Sequence, residues 1–99
     1  MERENIYRAR AFKVSKGVRR RSRLDIIADV LDASRGRVRK THLMYKCSMS
    51  FTQMTGYLDL ILGAKLLVIE NDGTKFLFKI SGKGRSFLKS YQSLKALME

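Results

Sequence analysis

Apolar residues change their spacing along the chain, and each change marks an element. Leu24, Ile27, Val30 and Leu31 recur every three or four residues, the period of a helix with one buried stripe. Ser22, or the residue before it, stands where that helix opens, and Asp25, Asp29 and Asp32 fall together on its exposed stripe. A second, short helix starts at Val38 or Arg39 and turns Leu43 and Met44 inward. The third is the best marked. Ser50 and Gln53 spell an S-x-x-Q capping box, and Phe51, Met54, Leu58, Ile61 and Leu62 share one face as far as Gly63. The period then drops to two: Leu66 to Glu70 and Lys75 to Ile80 alternate as strands about an Asn71-Asp72-Gly73-Thr74 turn. In the second strand Phe76, Phe78 and Ile80 face one way, Leu77 and Lys79 the other. Ser81 caps a last helix over 82–98, whose stripe is Phe87, Leu88, Tyr91, Leu94 and Met98, with Gly82 and Gly84 loosening its start.

The order helix, helix, helix, hairpin, helix, with no proline to break it, predicts an α+β, mainly α fold. It is the layout of a winged helix-turn-helix: three helices, a β-hairpin wing and a C-terminal helix. Residues 22–99 form that domain, and residues 1–21 form a basic N-terminal arm. Within the domain, Lys40 to Phe51 reads as the end of one short helix, a tight connection and the capped start of the next. Tyr45 and Tyr57 are expected in or near the core, with the alternative that a Tyr hydroxyl at the edge of the turn reaches a phosphate. Leu60 projects away from the third helix's core stripe between Gly56 and Gly63, as a contact for the arm or a second subunit.

Charge narrows the class of partner. The net charge is +12, and residues 1–23 hold nine basic against two acidic side chains, +7 of that total. Such an excess calls for a polyanion or an anionic surface. No apolar run approaches the roughly 18 residues of a membrane span, and the start of the chain has no secretory leader pattern. The single cysteine, Cys47, cannot form an internal disulfide, so a reducing cytoplasm is the expected location. His42 and Cys47 lie five apart without companion ligands or a catalytic base, which points to packing or surface roles, no metal, no cofactor and no enzyme.

On the third helix, Thr52, Gln53 and Gly56 lie opposite the core stripe in the first two turns, where a recognition helix in a major groove reads bases. Gln53 serves either base readout or the cap alone. No Lys or Arg lies between Ser50 and Ala64, so phosphate attraction must come from the surroundings. Those surroundings are Arg19, Arg20 and Arg21 of the arm; Arg35, Arg37, Arg39, Lys40 and Thr41 before and on the second helix; Lys46 and Ser48 near the turn; and Lys75 and Lys79 on the wing.

Four segments resemble a family of small archaeal winged-helix DNA-binding proteins that includes the basic "10a" chromatin protein. They are Ser22-Arg23-Leu24-Asp25-Ile26-Ile27 continuing to Val30-Leu31-Asp32-Ala33; Lys40-Thr41, Leu43-Met44-Tyr45 and Met49-Ser50-Phe51; Tyr57-Leu58 with Leu62; and Phe78-Lys79-Ile80-Ser81-Gly82-Lys83-Gly84. The resemblance spans residues 22 to 92. It implies binding of double-stranded DNA, in transcription regulation or chromatin, without cofactor, small-molecule substrate or membrane. It also implies a homodimer through the C-terminal helix, for which Tyr91, Leu94, Leu97 and Met98 are the residues here, with Leu60 of the third helix a further dimer candidate from its own position. This chain departs from the family in its shorter last helix and in the basic residues before its first helix. Two other classes remain open: a protein-interaction winged helix in a transcription assembly, and RNA binding, against which the lack of an aromatic stacking platform counts.

Overall fold

The computed structural model describes residues 21–99; the arm residues Arg19 and Arg20 lie outside the described residues. Four helices and a hairpin follow in order: α1 (Arg23–Ala33), α2 (Lys40–Cys47), α3 (Phe51–Gly63), β1 (Leu67–Asn71), β2 (Phe76–Ile80) and α4 (Gly82–Met98). The fold is the winged helix-turn-helix expected.

Local chemistry sets the helix starts. Ser22 and Asp25 close a reciprocal capping box on α1, and Ser50 and Gln53 do the same on α3. Ser81 caps α4, accepting from the Gly84 amide at 2.9 Å. The start of α2 falls at Lys40, one or two residues later than the periodicity predicts, because Val38 is taken by the wing. Val38 and Phe78 exchange both backbone hydrogen bonds, at 3.0 and 2.7 Å. Between α2 and α3 the chain reverses at Ser48, which adopts the left-handed conformation (φ 55) while its amide and that of Met49 donate to the Tyr45 and Met44 carbonyls.

The strands pair antiparallel, Leu67 with Ile80 through Asn71 with Phe76. Each boundary sits one residue later than expected at the tip. Asp72 closes the turn over residues 72–75 by accepting from the Thr74 and Lys75 amides, so Asn71 stays in the strand and Lys75 leaves it.

Ile27, Ala28, Val30 and Leu31 of α1, Leu43 and Cys47 of α2, Met49, Met54, Leu58 and Ile61 around α3, Leu66, Leu67, Phe78, Ile80 and Leu88 form one core. Several expected core positions lie outside it. Leu24 sits in the first turn of α1, beyond the body, and Ala28 takes the inward place instead. Phe51, the first residue of α3, is 63% exposed, and Phe76 at the wing tip is equally so. Tyr45 is 84% exposed because Leu43 and Cys47, four apart, are the two α2 side chains directed fully inward. Beyond Tyr91 the last helix outruns the body, leaving Leu94, Leu97 and Met98 exposed.

Gly84 does not loosen α4. A Cβ there would stand 2.1 Å from the Leu66 carbonyl oxygen and 2.7 Å from Ile80 Cγ1. The glycine allows the first turn of α4 to press on the α3–β1 connection. There Ser81 Oγ donates to the Lys65 carbonyl (2.7 Å) and the Ser81 amide to the Leu66 carbonyl (3.0 Å).

Candidate nucleic-acid interface

The outer face of α3 is open. Thr52, Gln53 and Gly56 are all exposed, and nothing lies within 4 Å of the space a Cβ on Gly56 would fill. Gln53 Oε1 accepts from the Ser50 amide at 3.0 Å, so its carbonyl end is committed to the cap. Its amide NH₂ end is the group left to face a ligand. The same face carries Asp59, exposed, one turn beyond Gly56. Its spacing from Gly56 marks the position in sequence, and its charge repels phosphate.

The basic residues divide by what already engages them. Arg21 is half-buried: its guanidinium donates to Asp29 Oδ2 at 3.1 Å and to the Cys47 carbonyl at 2.8 Å. It thereby clamps the chain preceding α1 onto the carboxyl end of α2. Arg35 pairs with Asp32 (2.9 Å) and Arg37 with Glu70 on β1 (2.7 Å). The aspartate row of α1 is therefore largely occupied. Asp29 and Asp32 hold arginines, and Asp25 serves the cap while accepting from the Tyr91 hydroxyl. That hydroxyl, followed by the Ser22 amide, lowers the Asp25 pKa from 3.8 to about 2.

Lys40 turns inward to α3. Its ammonium donates to Thr55 Oγ1 and lies 3.4 Å from the centre of the Phe51 ring. This covers one side of the exposed phenyl and ties α2 to the first turn of α3. Arg39, Thr41, Lys46, Ser48 and Lys75 are exposed, and Lys79 is half-buried. Arg37, Val38, Arg39, Thr41, His42 and Tyr45 together line an open cleft of about 540 Å³ beside the start of α2. Three of the expected phosphate contacts, Arg37, Arg39 and Thr41, thus meet in one place. The start of α2 there has no side-chain cap on its amides, which adds partial positive charge. Tyr45, expected in or near the core with its hydroxyl as a phosphate contact only in the alternative, lies on this rim, and His42, expected only to pack or face solvent, lies beside it. The signal in sequence was the spacing of Thr41, His42 and Tyr45, three and four apart on one face of α2, hidden by the assignment of Tyr45 to the core.

Leu60 is 44% exposed and shares a shallow pocket of about 310 Å³ with Arg23, Gly56 and Tyr57. Burial pushes the Cys47 thiol up from its ordinary value. Among the described residues no three His, Cys, Asp or Glu side chains gather where a metal could bind. Nor is any described helix long and apolar enough to cross a membrane.

A family model described as winged helix-turn-helix matches residues 20–99. Among solved structures, the chain is similar to Sso10a-2, a DNA-binding protein from Sulfolobus solfataricus. The TM-score is 0.72 at 18% identity, over 79% of this chain and 82% of that one. It is also similar to Bordetella bronchiseptica BpsR, whose DNA binding is regulated by 6-hydroxynicotinic acid, with TM-score 0.61 at 21% identity over 66% of this chain and 50% of BpsR. Human N-acetylserotonin methyltransferase matches with TM-score 0.51 at 20% identity, over 68% of this chain but 18% of the enzyme. At such identities the likeness is one of fold. No curated protein matches the chain by sequence.

Proposed function

Because the chain belongs to the winged helix-turn-helix family, we propose that it is a double-stranded DNA-binding protein, acting as a transcriptional regulator or a chromatin-associated protein. In this reading α3 enters the major groove with Thr52, Gln53 and Gly56 toward the bases, and the wing, the start of α2 and the arm hold the backbone. The observation that carries it is the division of labour around α3. The helix offers an exposed, cation-free polar face, while exposed cations lie on the elements beside it: Arg39 at the start of α2, Lys46 at its end and Lys75 on the wing. A face without its own phosphate attraction suits base readout held in register from outside. The DNA-binding relatives in fold, Sso10a-2 and BpsR, support the same partner.

The reading extends to a homodimer through the end of α4, for which the exposed Leu94, Leu97 and Met98 are the support. Arg21 is reassigned within it. Held by Asp29 and the Cys47 carbonyl, it fixes where the arm leaves the domain rather than neutralising a phosphate. No catalytic role is assigned.

The test is titration of a short duplex at several salt concentrations. With roughly six phosphates neutralised, affinity should fall about a thousandfold between ~50 and ~200 mM salt. An affinity indifferent to salt, or preference for single-stranded RNA over duplex DNA, overturns the proposal.

A further inference from the structure

The inner face of the wing does not end where the core ends. Along β2 the exposures of the inward side chains run from Ile80 at 3% and Phe78 at 8% to Phe76 at 63%; along β1 they run from Leu67 at 2% to Ile69 at 49%. In the observed register Ile69 faces Phe78 and Asn71 faces Phe76, so Ile69 and Phe76 are diagonal neighbours on one face of the pleat. An apolar ridge therefore leaves the core and runs out to the tip of the hairpin. The opposite face of the wing is mixed, pairing Glu70 with Leu77 and Lys79 with Val68. Scattered apolar residues on a surface need no explanation; a ridge continuous with the core and ending in a bare phenyl is a different case.

The tip is built to be stiff. Asn71 Oδ1 accepts from the Gly73 amide at 2.8 Å, and Asp72 Oδ1 accepts from the Thr74 and Lys75 amides, both at 3.2 Å. Gly73 takes φ +100, where a side chain would be strained, and the Asp72 amide donates to the Lys75 carbonyl. Hydrogen bonding from the Thr74 amide holds the exposed Asp72 carboxyl below its ordinary pKa. The strands are held as well, by the Val38 bridge to Phe78 at the middle of β2 and by the Arg37–Glu70 pair one residue short of the tip end of β1. Phe76 thus stands at the end of a braced lever, next in sequence to the exposed cation Lys75.

We propose that Phe76 is an apolar wedge that enters the minor groove and partly unstacks one base step when the wing docks on DNA. The inference rests on the DNA-binding reading above and deepens it. A wing that only follows the backbone needs the cation and gains nothing from a phenyl. A wing that opens a base step needs an apolar side chain, a rigid mount and a phosphate anchor beside it, and this tip supplies all three. Pyrimidine–purine steps unstack most readily, so the preferred site is a TA or CA step under the wing.

The test uses the full chain and a duplex carrying 2-aminopurine at a single TA step, with dyes at its ends. Saturating wild type should raise the 2-aminopurine emission about twofold and shorten the end-to-end distance, as unstacking and kinking require. Phe76→Ala, at an exposed position that leaves the core intact, should bind with affinity reduced less than about tenfold and an unchanged salt slope, but with neither optical change. Lys75→Ala should do the reverse, lowering the slope by about 0.9 and keeping the emission rise. Saturation by wild type without an emission change, or an equal rise with Phe76→Ala, overturns the wedge while leaving DNA binding in place. A lower solution mass of free Phe76→Ala overturns it too, by making the ridge a contact between copies. Failure of wild type to bind duplex at all removes the function proposal itself.

Discussion

Two residues with opposite reputations hold α3 to its neighbours, one at its start and one just past its end. Lys40 belongs by charge among phosphate ligands, yet its ammonium is spent on Thr55 and the Phe51 ring. Lys40→Met should therefore leave the slope of log affinity against log salt unchanged, where Arg39→Gln should reduce it by about 0.9. Stability of the Lys40 variant should fall by about 1 kcal/mol, the scale of a partly exposed cation–π contact with a hydrogen bond. A slope reduced by the Met substitution would return Lys40 to the phosphate set; salt-series titrations of both variants decide it. Gly84 carries the converse lesson. Alanine normally helps a helix by about 1 kcal/mol over glycine, but here its Cβ would collide with the Leu66 carbonyl oxygen. The backbone must yield, so Gly84→Ala is expected to destabilise by about 1–3 kcal/mol in chemical denaturation. Gly82, with nothing near its Cβ position, should accept alanine with no loss.

At the scale of elements, periodicity and caps are local, and both were legible. The capping box at Ser50, the Ser81 cap, the hairpin register class and the four helices all follow from residues within one or two turns of each other. What periodicity could not supply is where the neighbouring element stops. Leu24, Phe51 and Leu94 lie on the correct helical faces but past the edge of whatever should cover them, and Phe76 outruns the core in the same way. Val38 was lost to a helix start because its partner, Phe78, is forty residues away in sequence. The α1–α4 contact is equally non-local: the Tyr91 hydroxyl reaches Asp25 and holds its pKa near 2. Because the folded pKa lies below the ordinary 3.8, this contact stabilises the fold above pH ~4, and the contribution disappears as pH falls from about 4 to about 2. Tyr91→Phe should raise the Asp25 midpoint toward the ordinary carboxylate range in a carbon-detected NMR titration. It should also flatten the acid limb of the stability curve in that window. An unmoved midpoint would assign the shift to the Ser22 cap instead.

At the scale of the whole molecule, the open question is how much surface the end of α4 can offer a second copy. From Gln92 to Met98 the helix rises only about 10 Å at 1.5 Å per residue, far short of an extended coiled coil. A stable dimer buries about 800 Å² per partner, more than two turns of helix provide. The shortfall has one nearby remedy. Leu24, Phe87, Ser90, Tyr91 and Leu94 line an almost wholly apolar groove of about 100 Å³ between α1 and α4. An antiparallel partner could lay Leu97 and Met98 there, joining the protruding helix end to the body. Burying that groove should give a weak, concentration-dependent dimer, with dissociation in the range of roughly 1–100 μM rather than the nanomolar range of a long coiled coil. Light scattering over a dilution series should then show mass rising from one chain toward two. Leu97→Glu, 82% exposed in the single chain and so harmless to its fold, should hold the mass at one chain throughout. Leu60→Glu should leave the mass unchanged, since Leu60 lines a separate pocket with Arg23, Gly56 and Tyr57. A dimer that persists with Leu97→Glu but not with Leu60→Glu would move the interface to the flank of α3. There it would compete with DNA for the recognition helix instead of bringing two such helices to one duplex.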